Sequence, residues 1–170
     1  MAVPDGSGLP LTQATLSDGT TVDASIHIRI VDVSGIPVPN YPFQDIWLAS
    51  DSAGEFSCTI KLSADHDTDT NGETSFSNPL MGGGTSAGPF WVYLNGTKAC
   101  TSAGFEHPSI PIRLNSPDLN GDGYVNLSDV AIFISDYYGP YDYRSDFLWD
   151  GRIDLSDVRL LAKGVGTYCP

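Results

Sequence analysis

The chain has 170 residues, which is enough for one ordinary domain and a second small one. Its formal net charge is −13, and this acidity excludes nucleic acids and anionic membranes as natural partners. The sequence contains no apolar run long enough to cross a bilayer, so we expect no membrane insertion. Many Gly and Pro residues and few charged ones are typical of secreted all-β modules with frequent turns.

Residues 1–20 are rich in Gly and Pro and poor in apolar side chains. This composition predicts an extended tail that needs a surface to lie on. Its own domain could provide that surface, or a neighbouring subunit could accept the tail as an added β-strand. In the second arrangement Leu9 and Leu11 would contact the partner.

Residues 21–115 are predicted to form a mainly β domain. Ile26, Ile28 and Ile30 alternate with polar residues, which is the pattern of a strand with one buried face. Further short strands follow in the segments EFSCTIKL, GETSFS, PFWVYL and PSIPIRL, without a helical stretch among them. Six or seven such strands separated by turns indicate a β-sandwich.

Two pieces of this region, VDVSGIPVPNYP and TDTNGETSF, resemble bacterial immunoglobulin-like repeats of the invasin or carboxypeptidase-regulatory-like kind. The resemblance implies an immunoglobulin-like sandwich with a scaffolding role at cell surfaces. It brings no catalytic function with it.

The segment PFWVYL is apolar on both faces, since Trp91 and Tyr93 alternate with Phe90, Val92 and Leu94. One face should fill the sandwich. The face with Trp91 and Tyr93 then needs a second cover, either the C-terminal part of the chain or another protomer. These two rings are therefore candidate partner contacts.

Three cysteines allow three single disulfide pairings and leave one residue over. Cys58 and Cys100 both lie in the predicted β domain, so we favour that pair. Cys169 would then be free or linked to another chain.

The stretch DLNGDGYVNLSD, residues 118–129, has the ligand spacing of a twelve-residue calcium loop. Gly at position six permits the sharp turn that such loops require. The expected ligands are the side chains of Asp118, Asn120, Asp122, Asn126 and Asp129 and the carbonyl of Tyr124. An Asx-rich turn is the alternative interpretation, but the pattern recurs 28 residues later together with its following helix.

The second copy is DFLWDGRIDLSD, residues 146–157. Its expected ligands are Asp146, Asp150, Asp154 and Asp157 together with the carbonyl of Arg152. Leu148 replaces the oxygen ligand at position three, so we expect a weaker site or one completed by water.

Each loop leads into a predicted helix. Asn126 and Asp154 are expected N-caps, with an Asp three residues on to complete a capping box. The apolar stripes are expected to pack on each other: Val130, Phe133, Ile134 and Tyr137 in the first helix, and Val158, Leu161, Ala162 and Val165 in the second. Glycines 139 and 164 or 166 should end the helices.

Residues 117–170 resemble a type I dockerin, with paired D-x-N-x-D-G loops each followed by one helix. The resemblance implies a small α-helical module with two EF-hand-type calcium loops that binds a cohesin domain. In that family loop positions ten and eleven help to make the contact, and here they are Leu127 and Ser128 in the first copy, Leu155 and Ser156 in the second. Leu148 departs from the family pattern.

Asp65, Asp67 and Asp69 also alternate, but a solvated hairpin loop is favoured over a third metal site. The histidines are scattered, and no zinc spacing or nucleophile motif occurs, so we expect no enzyme. We expect a secreted, Ca²⁺-stabilised structural protein that binds copies of itself, head to tail through residues 1–20, in an extracellular filament. The alternative is a dockerin-type module that binds a cohesin domain on a scaffold or cell surface.

Overall fold

The computed structural model describes residues 1–9, 13–16, 18, 20–50, 58, 61–86, 90–99, 110 and 113–170. Eight short β-strands form antiparallel sheets in the N-terminal part of this described chain: β1 Gln13–Thr15, β2 Thr21–Asp23, β3 Ile26–Arg29, β4 Ile46–Ser50, β5 Leu62–Ser63, β6 Glu73–Phe76, β7 Phe90–Leu94 and β8 Thr97–Lys98. Two helices follow, α1 Leu127–Tyr138 and α2 Leu155–Gly164, and two 3-10 turns occur at Phe43–Asp45 and Tyr143–Ser145. Helices in the described ranges are all too short or too polar to cross a membrane.

The β-strands form three antiparallel sheets. One is the hairpin β1–β2, the second pairs β3 with β6, and the third has the order β5-β4-β7-β8. Ile26 faces Phe76 across the β3–β6 pair, and Leu48 faces Val92 across the β4–β7 pair. Antiparallel strands therefore form the regular structure of the described residues before 115, as the pattern predicts. Most of the predicted strands EFSCTIKL and PSIPIRL lies outside the described residues.

The core of the β part lies between the second and third sheets. Its buried side chains are Ile46, Leu48, Leu62, Ala64 and Phe76. Ile26, Ile28 and Ile30 pack against them, which confirms the predicted one-sided strand. Alternation therefore identified the inward face of β3 correctly.

A second core holds the two helices together. It contains Leu119, Val125, Phe133, Phe147 and Leu161. The rings of Phe133 and Phe147 stack with centroids 5.9 Å apart. Both predicted stripes are only partly right, because Ile134 on α1 is exposed, as are Val158, Ala162 and Val165 on α2. On α2 the inward face instead carries Asp157, Leu161 and Gly164, since the carboxylate turns back into the loop before the helix.

The connection between the two parts is buried and hydrogen-bonded on both sides. Asn115 Nδ2 donates to the carbonyl of Asp146 at 2.6 Å, and Ser116 Oγ donates to the carbonyl of Gly82 at 3.1 Å. Pro117 is also buried, and the end of α2 packs on its ring at Gly164. The three-residue connection is thus part of the packed structure.

The first residues of the chain lie against both parts. Ala2 and Val3 are buried, and Val3 forms a parallel bridge with Met81. Ala2 N–H donates to the carbonyl of Asn115 at 2.9 Å. Met1 packs on the core between the helices. The predicted tail therefore has a surface on its own chain over residues 1–9.

The disulfide differs from the prediction. Cys58 is bonded to Cys169, 111 residues away, so the favoured pairing with Cys100 is wrong. Cys100 itself lies outside the described residues. The reason is spatial: residues 166–169 run back along the loop that begins at Asp118 and end next to Cys58. Sequence separation alone does not reveal such a contact.

Candidate metal site

Residues 118–129, here called the first acidic loop, wrap around two fully buried carboxylates. Both oxygens of Asp118 accept backbone hydrogen bonds, from Asp122 N–H at 3.1 Å and Gly123 N–H at 2.9 Å. Asp129 accepts from Asn120 N–H at 3.2 Å and from Asn126 N–H at 2.8 Å. The first and last residues of the loop therefore hold its backbone closed from inside.

Residues 146–157, the second acidic loop, repeat this arrangement. Asp146 accepts from Asp150 N–H at 3.2 Å and from Gly151 N–H at 2.8 Å. Asp157 accepts from Phe147 N–H at 2.8 Å and from Asp154 N–H at 2.9 Å. The bonds from Asp150, Gly151 and Asp154 recur at the same positions of the first acidic loop. Leu148 N–H, at the position of Asn120, also donates to Asp157 at 3.3 Å, although the Leu148 side chain removes the oxygen at position three.

The two loops also share an unusual backbone. Position six is Gly123 in the first loop, with φ 86°, and Gly151 in the second, with φ 82°. Glycine adopts this conformation without strain. Position four is left-handed as well, and it is Gly121 in the first loop but Trp149, with φ 57°, in the second. A bulky residue in this region indicates that the surrounding loop imposes the conformation.

Both predicted capping boxes are present. The Asn126 and Asp154 side chains accept from the N–H groups of Ser128 and Ser156, at 2.8 and 2.7 Å. The Asp three residues after each cap completes the box. The same two carboxylates, Asp129 and Asp157, thus close the loop and begin the helix.

The buried carboxylates carry an electrostatic cost. Burial raises the pKa of Asp118; the hydrogen bond from Gly123 opposes this, and the charges of Asp129 and Asp122 add to it. Burial likewise raises the pKa of Asp157, against its backbone hydrogen bonds and with a further contribution from Asp146. No described Lys, Arg or His forms an ion pair with these groups. Each loop therefore concentrates negative charge that has no paired cationic side chain among the described residues.

The remaining predicted ligands lie on the same loops. Asp122 and Asn120 bond to each other, from Asn120 Nδ2 to Asp122 Oδ2 at 2.9 Å. Tyr124 and Arg152 follow the position-six glycines and are exposed. Within the ranges that the structure describes, no three His, Cys, Asp or Glu side chains converge closely enough to hold a metal ion. The loops bring the predicted residues together as hydrogen-bonded turns.

Asp65, Asp67 and Asp69 accept hydrogen bonds from backbone N–H groups. Asp65 accepts from Ser77 N–H at 3.0 Å, Asp67 accepts from Phe43 N–H at 2.9 Å, and Asp69 closes the turn before β6. Their oxygens go to three different segments. This arrangement favours the hairpin interpretation over a third metal site.

The predicted partner contacts divide into two groups. Leu127 and Leu155 are 82% and 75% exposed at the starts of the two helices, and Ser128 and Ser156 beside them are exposed as well. Trp91 and Tyr93 are half-buried on one face of β7. There the rings of Tyr93 and Trp47 stack with centroids 5.7 Å apart, and Lys98 Nζ lies 4.4 Å from the centroid of the Trp91 ring. Leu9 is partly exposed, and Leu11 lies outside the described residues.

Sequence reasoning missed four residues that support the loops. Tyr141 donates its hydroxyl to Asp146 Oδ2 at 2.8 Å. Asp136, on the inner face of α1, binds Arg144 through two 2.7 Å hydrogen bonds and Ser145 through one of 2.6 Å. These contacts link α1 to the start of the second acidic loop. The one signal in the sequence is that Asp136 lies seven residues after Asp129 and therefore on the same face of α1.

Comparison with protein-family models and with curated proteins finds no match to this chain. The residues and their geometry alone therefore carry the functional argument.

Proposed function

We propose that this chain is a non-catalytic, calcium-stabilised structural protein that combines an immunoglobulin-like β-sandwich with a dockerin-like module. One observation carries the proposal. Asp118, Asp129, Asp146 and Asp157 are all buried, and no described cationic side chain pairs with them. Buried carboxylates without a counter-charge are costly, and a divalent cation removes that cost.

The donor chemistry fits calcium better than a softer metal. Both loops offer carboxylate, amide and carbonyl oxygens, with no His or Cys ligand in their sequences. In the first acidic loop the ligands would be Asp118, Asn120, Asp122, Asn126, Asp129 and the Tyr124 carbonyl. In the second they would be Asp146, Asp150, Asp154, Asp157 and the Arg152 carbonyl. A bound ion supplies positive charge that fixes the loop conformation.

Calcium in the first acidic loop would also stiffen the connection between the two parts. Asp118 directly follows the buried Pro117, and its carbonyl accepts a 2.6 Å hydrogen bond from Gly84 N–H in the β part. A ligand in this position is attached to both parts at once. Ion binding would therefore set their relative orientation.

We further propose that copies of the chain assemble head to tail in an extracellular filament. The support is the segment of residues 1–9, whose described contacts with its own chain include a parallel bridge at Met81, a bond to Asn115 and the burial of Ala2 and Val3. The same surface on a neighbouring copy offers identical contacts, so exchange of this segment is a low-cost route to assembly. The Cys58–Cys169 disulfide favours an oxidising, extracellular compartment.

Electron microscopy and sedimentation velocity of the purified protein, in millimolar calcium and in chelator, test the assembly. We expect filaments in calcium that shorten or dissociate in chelator. A variant lacking residues 1–9 should stay monomeric, and a synthetic peptide of residues 1–9 should bind to it. A monodisperse full-length monomer in calcium contradicts assembly, and a truncated protein that still polymerises contradicts the role of the segment.

The second candidate function is binding to a cohesin domain. It is favoured by Leu127 and Leu155, two large apolar side chains that are exposed at matching positions of the repeat. Pull-down with cohesins should then depend on Ser128 and Ser156, whereas assembly through residues 1–9 should not. The paired variant Ser128→Ala, Ser156→Ala separates the two functions.

A further inference from the structure

Residues 166–169 form a short antiparallel pairing with residues 123–125 of the first acidic loop. Three backbone hydrogen bonds join them: Gly166 N–H to Val125 O at 2.9 Å, Val125 N–H to Thr167 O at 3.0 Å, and Cys169 N–H to Gly123 O at 2.9 Å. Tyr124 and Tyr168 face each other in this bridge, and their rings stack with centroids 6.1 Å apart. The partner segment thus lies against loop positions six to eight.

The disulfide attaches this pairing to the β part. Cys169, the last residue of the pairing, is bonded to Cys58, and the sulfur of Cys58 lies 3.2 Å from the carbonyl of Pro4. On the other side, a Cβ placed on Gly123 would come within 3.1 Å of the Cys169 sulfur. The crosslink is therefore in direct contact with the backbone of the first acidic loop. The second acidic loop contains no cysteine and therefore has no such crosslink.

We propose that the Cys58–Cys169 disulfide controls the first acidic loop, so that thiol reduction lowers its calcium affinity and leaves the second loop unchanged. The inference rests on the proposed calcium function. Each of the three hydrogen bonds contributes little net stability, and the crosslink keeps the two segments together. Without it, residues 166–169 separate from the segment that carries the Tyr124 carbonyl.

The chemical step is exchange with a dithiol reductant. One thiolate of the reductant attacks a disulfide sulfur, which gives a mixed disulfide and releases the other cysteine as a thiolate. The second thiol of the reductant then displaces the remaining cysteine. Two electrons and two protons end on Cys58 and Cys169 as two thiols, and the reductant leaves as its own disulfide. By linkage, calcium bound in the first loop must make the disulfide harder to reduce by the same factor.

Calcium titration by calorimetry, in variants that isolate each loop, tests the proposal. Asp150→Ala leaves the first loop to be measured, and Asp122→Ala leaves the second. Treatment with dithiothreitol should lower the calcium affinity of the first loop about fivefold or more and leave that of the second loop unchanged. Cys169→Ser should reproduce the reduced state without reductant. Cys100→Ser is the matched control, and it should respond to dithiothreitol as the unmodified protein does.

The outcomes separate this inference from the calcium proposal. Equal first-loop affinities before and after reduction overturn the inference while calcium binding stands. Equal weakening of both loops also overturns it, because that result indicates general destabilisation. Absence of calcium binding in the oxidised protein refutes the calcium function. In that case amide exchange decides the remaining claim: protection of the Val125 and Gly166 N–H groups that survives reduction overturns the coupling.

Discussion

Replacing Gly164 with Ala tests how tightly α2 is packed on the connection between the two parts. A Cβ at this position would lie 2.6 Å from Cγ and 2.9 Å from Cβ of Pro117, and 3.8 Å from Cγ1 of Val125. Real carbon contacts are not that short, and the ring of Pro117 is buried and stiff. The helix end or the connection must therefore move.

Two effects of opposite sign decide how far Gly164→Ala changes the free energy of unfolding. Ala is about 1 kcal/mol better than Gly inside a helix, and less at the last residue, where Gly164 lies. Over-packing a close contact costs about 1–3 kcal/mol. Because the clash involves a ring rather than the end of a flexible side chain, we expect net destabilisation of about 1–2 kcal/mol. For a chain of this size that is a fall in melting temperature of about 2–8 °C.

Thermal and urea unfolding of Gly164→Ala measure this effect. Lys163→Ala, at the neighbouring exposed position, is the control and should stay within about 0.5 kcal/mol of the unmodified protein. A Gly164→Ala protein that is as stable as the unmodified one, or more stable, refutes the packing argument, because helix propensity would then outweigh the contact.

Three further changes test the loops and their support. Leu148→Asn should raise the calcium affinity of the second acidic loop about tenfold by restoring an oxygen, and Asn120→Leu should lower that of the first; titrations that leave both affinities unchanged contradict the ligand assignment. Tyr141→Phe removes the hydroxyl that donates to a loop carboxylate, so second-loop affinity should fall about tenfold with the first loop as internal control. Burial raises the pKa of Asp136, but hydrogen bonds from Arg144 and its neighbour outweigh burial and leave the pKa below its ordinary value. The stability from this pair is therefore complete above the ordinary carboxyl pKa and is lost as pH falls through the lowered one. Urea unfolding against pH should show a contribution from this pair of about 1–2 kcal/mol that is lost on acidification, and Arg144→Gln should reduce the loss.

Local patterns in the sequence were enough to predict several elements. Alternating Ile residues identify β3, and the Asn126 and Asp154 caps identify where α1 and α2 begin. These features depend on residues only a few positions apart, so the conformational and capping preferences of the residue types predict them. The grouping of the loop aspartates was predictable for the same reason, because spacing within a tight turn decides which side chains face inward.

Contacts between distant segments were not predictable in this way. The Cys58–Cys169 bond depends on residues 166–169 running back along the first acidic loop, and several arrangements of strands and helices would fit the same sequence pattern. The inward face of α2 was misjudged because only apolar residues were counted. Asp157 belongs to that face, since its carboxylate bonds to backbone N–H groups inside the loop.

The proposed binding of calcium to the two acidic loops should stabilise the whole structure. Scanning calorimetry of the unmodified protein in chelator and in increasing calcium tests it most directly. Calcium at about one hundred times its dissociation constant should add about 2.7 kcal/mol per occupied loop, and the melting temperature should keep rising with concentration. Superimposable unfolding curves in chelator and in millimolar calcium would contradict the claim.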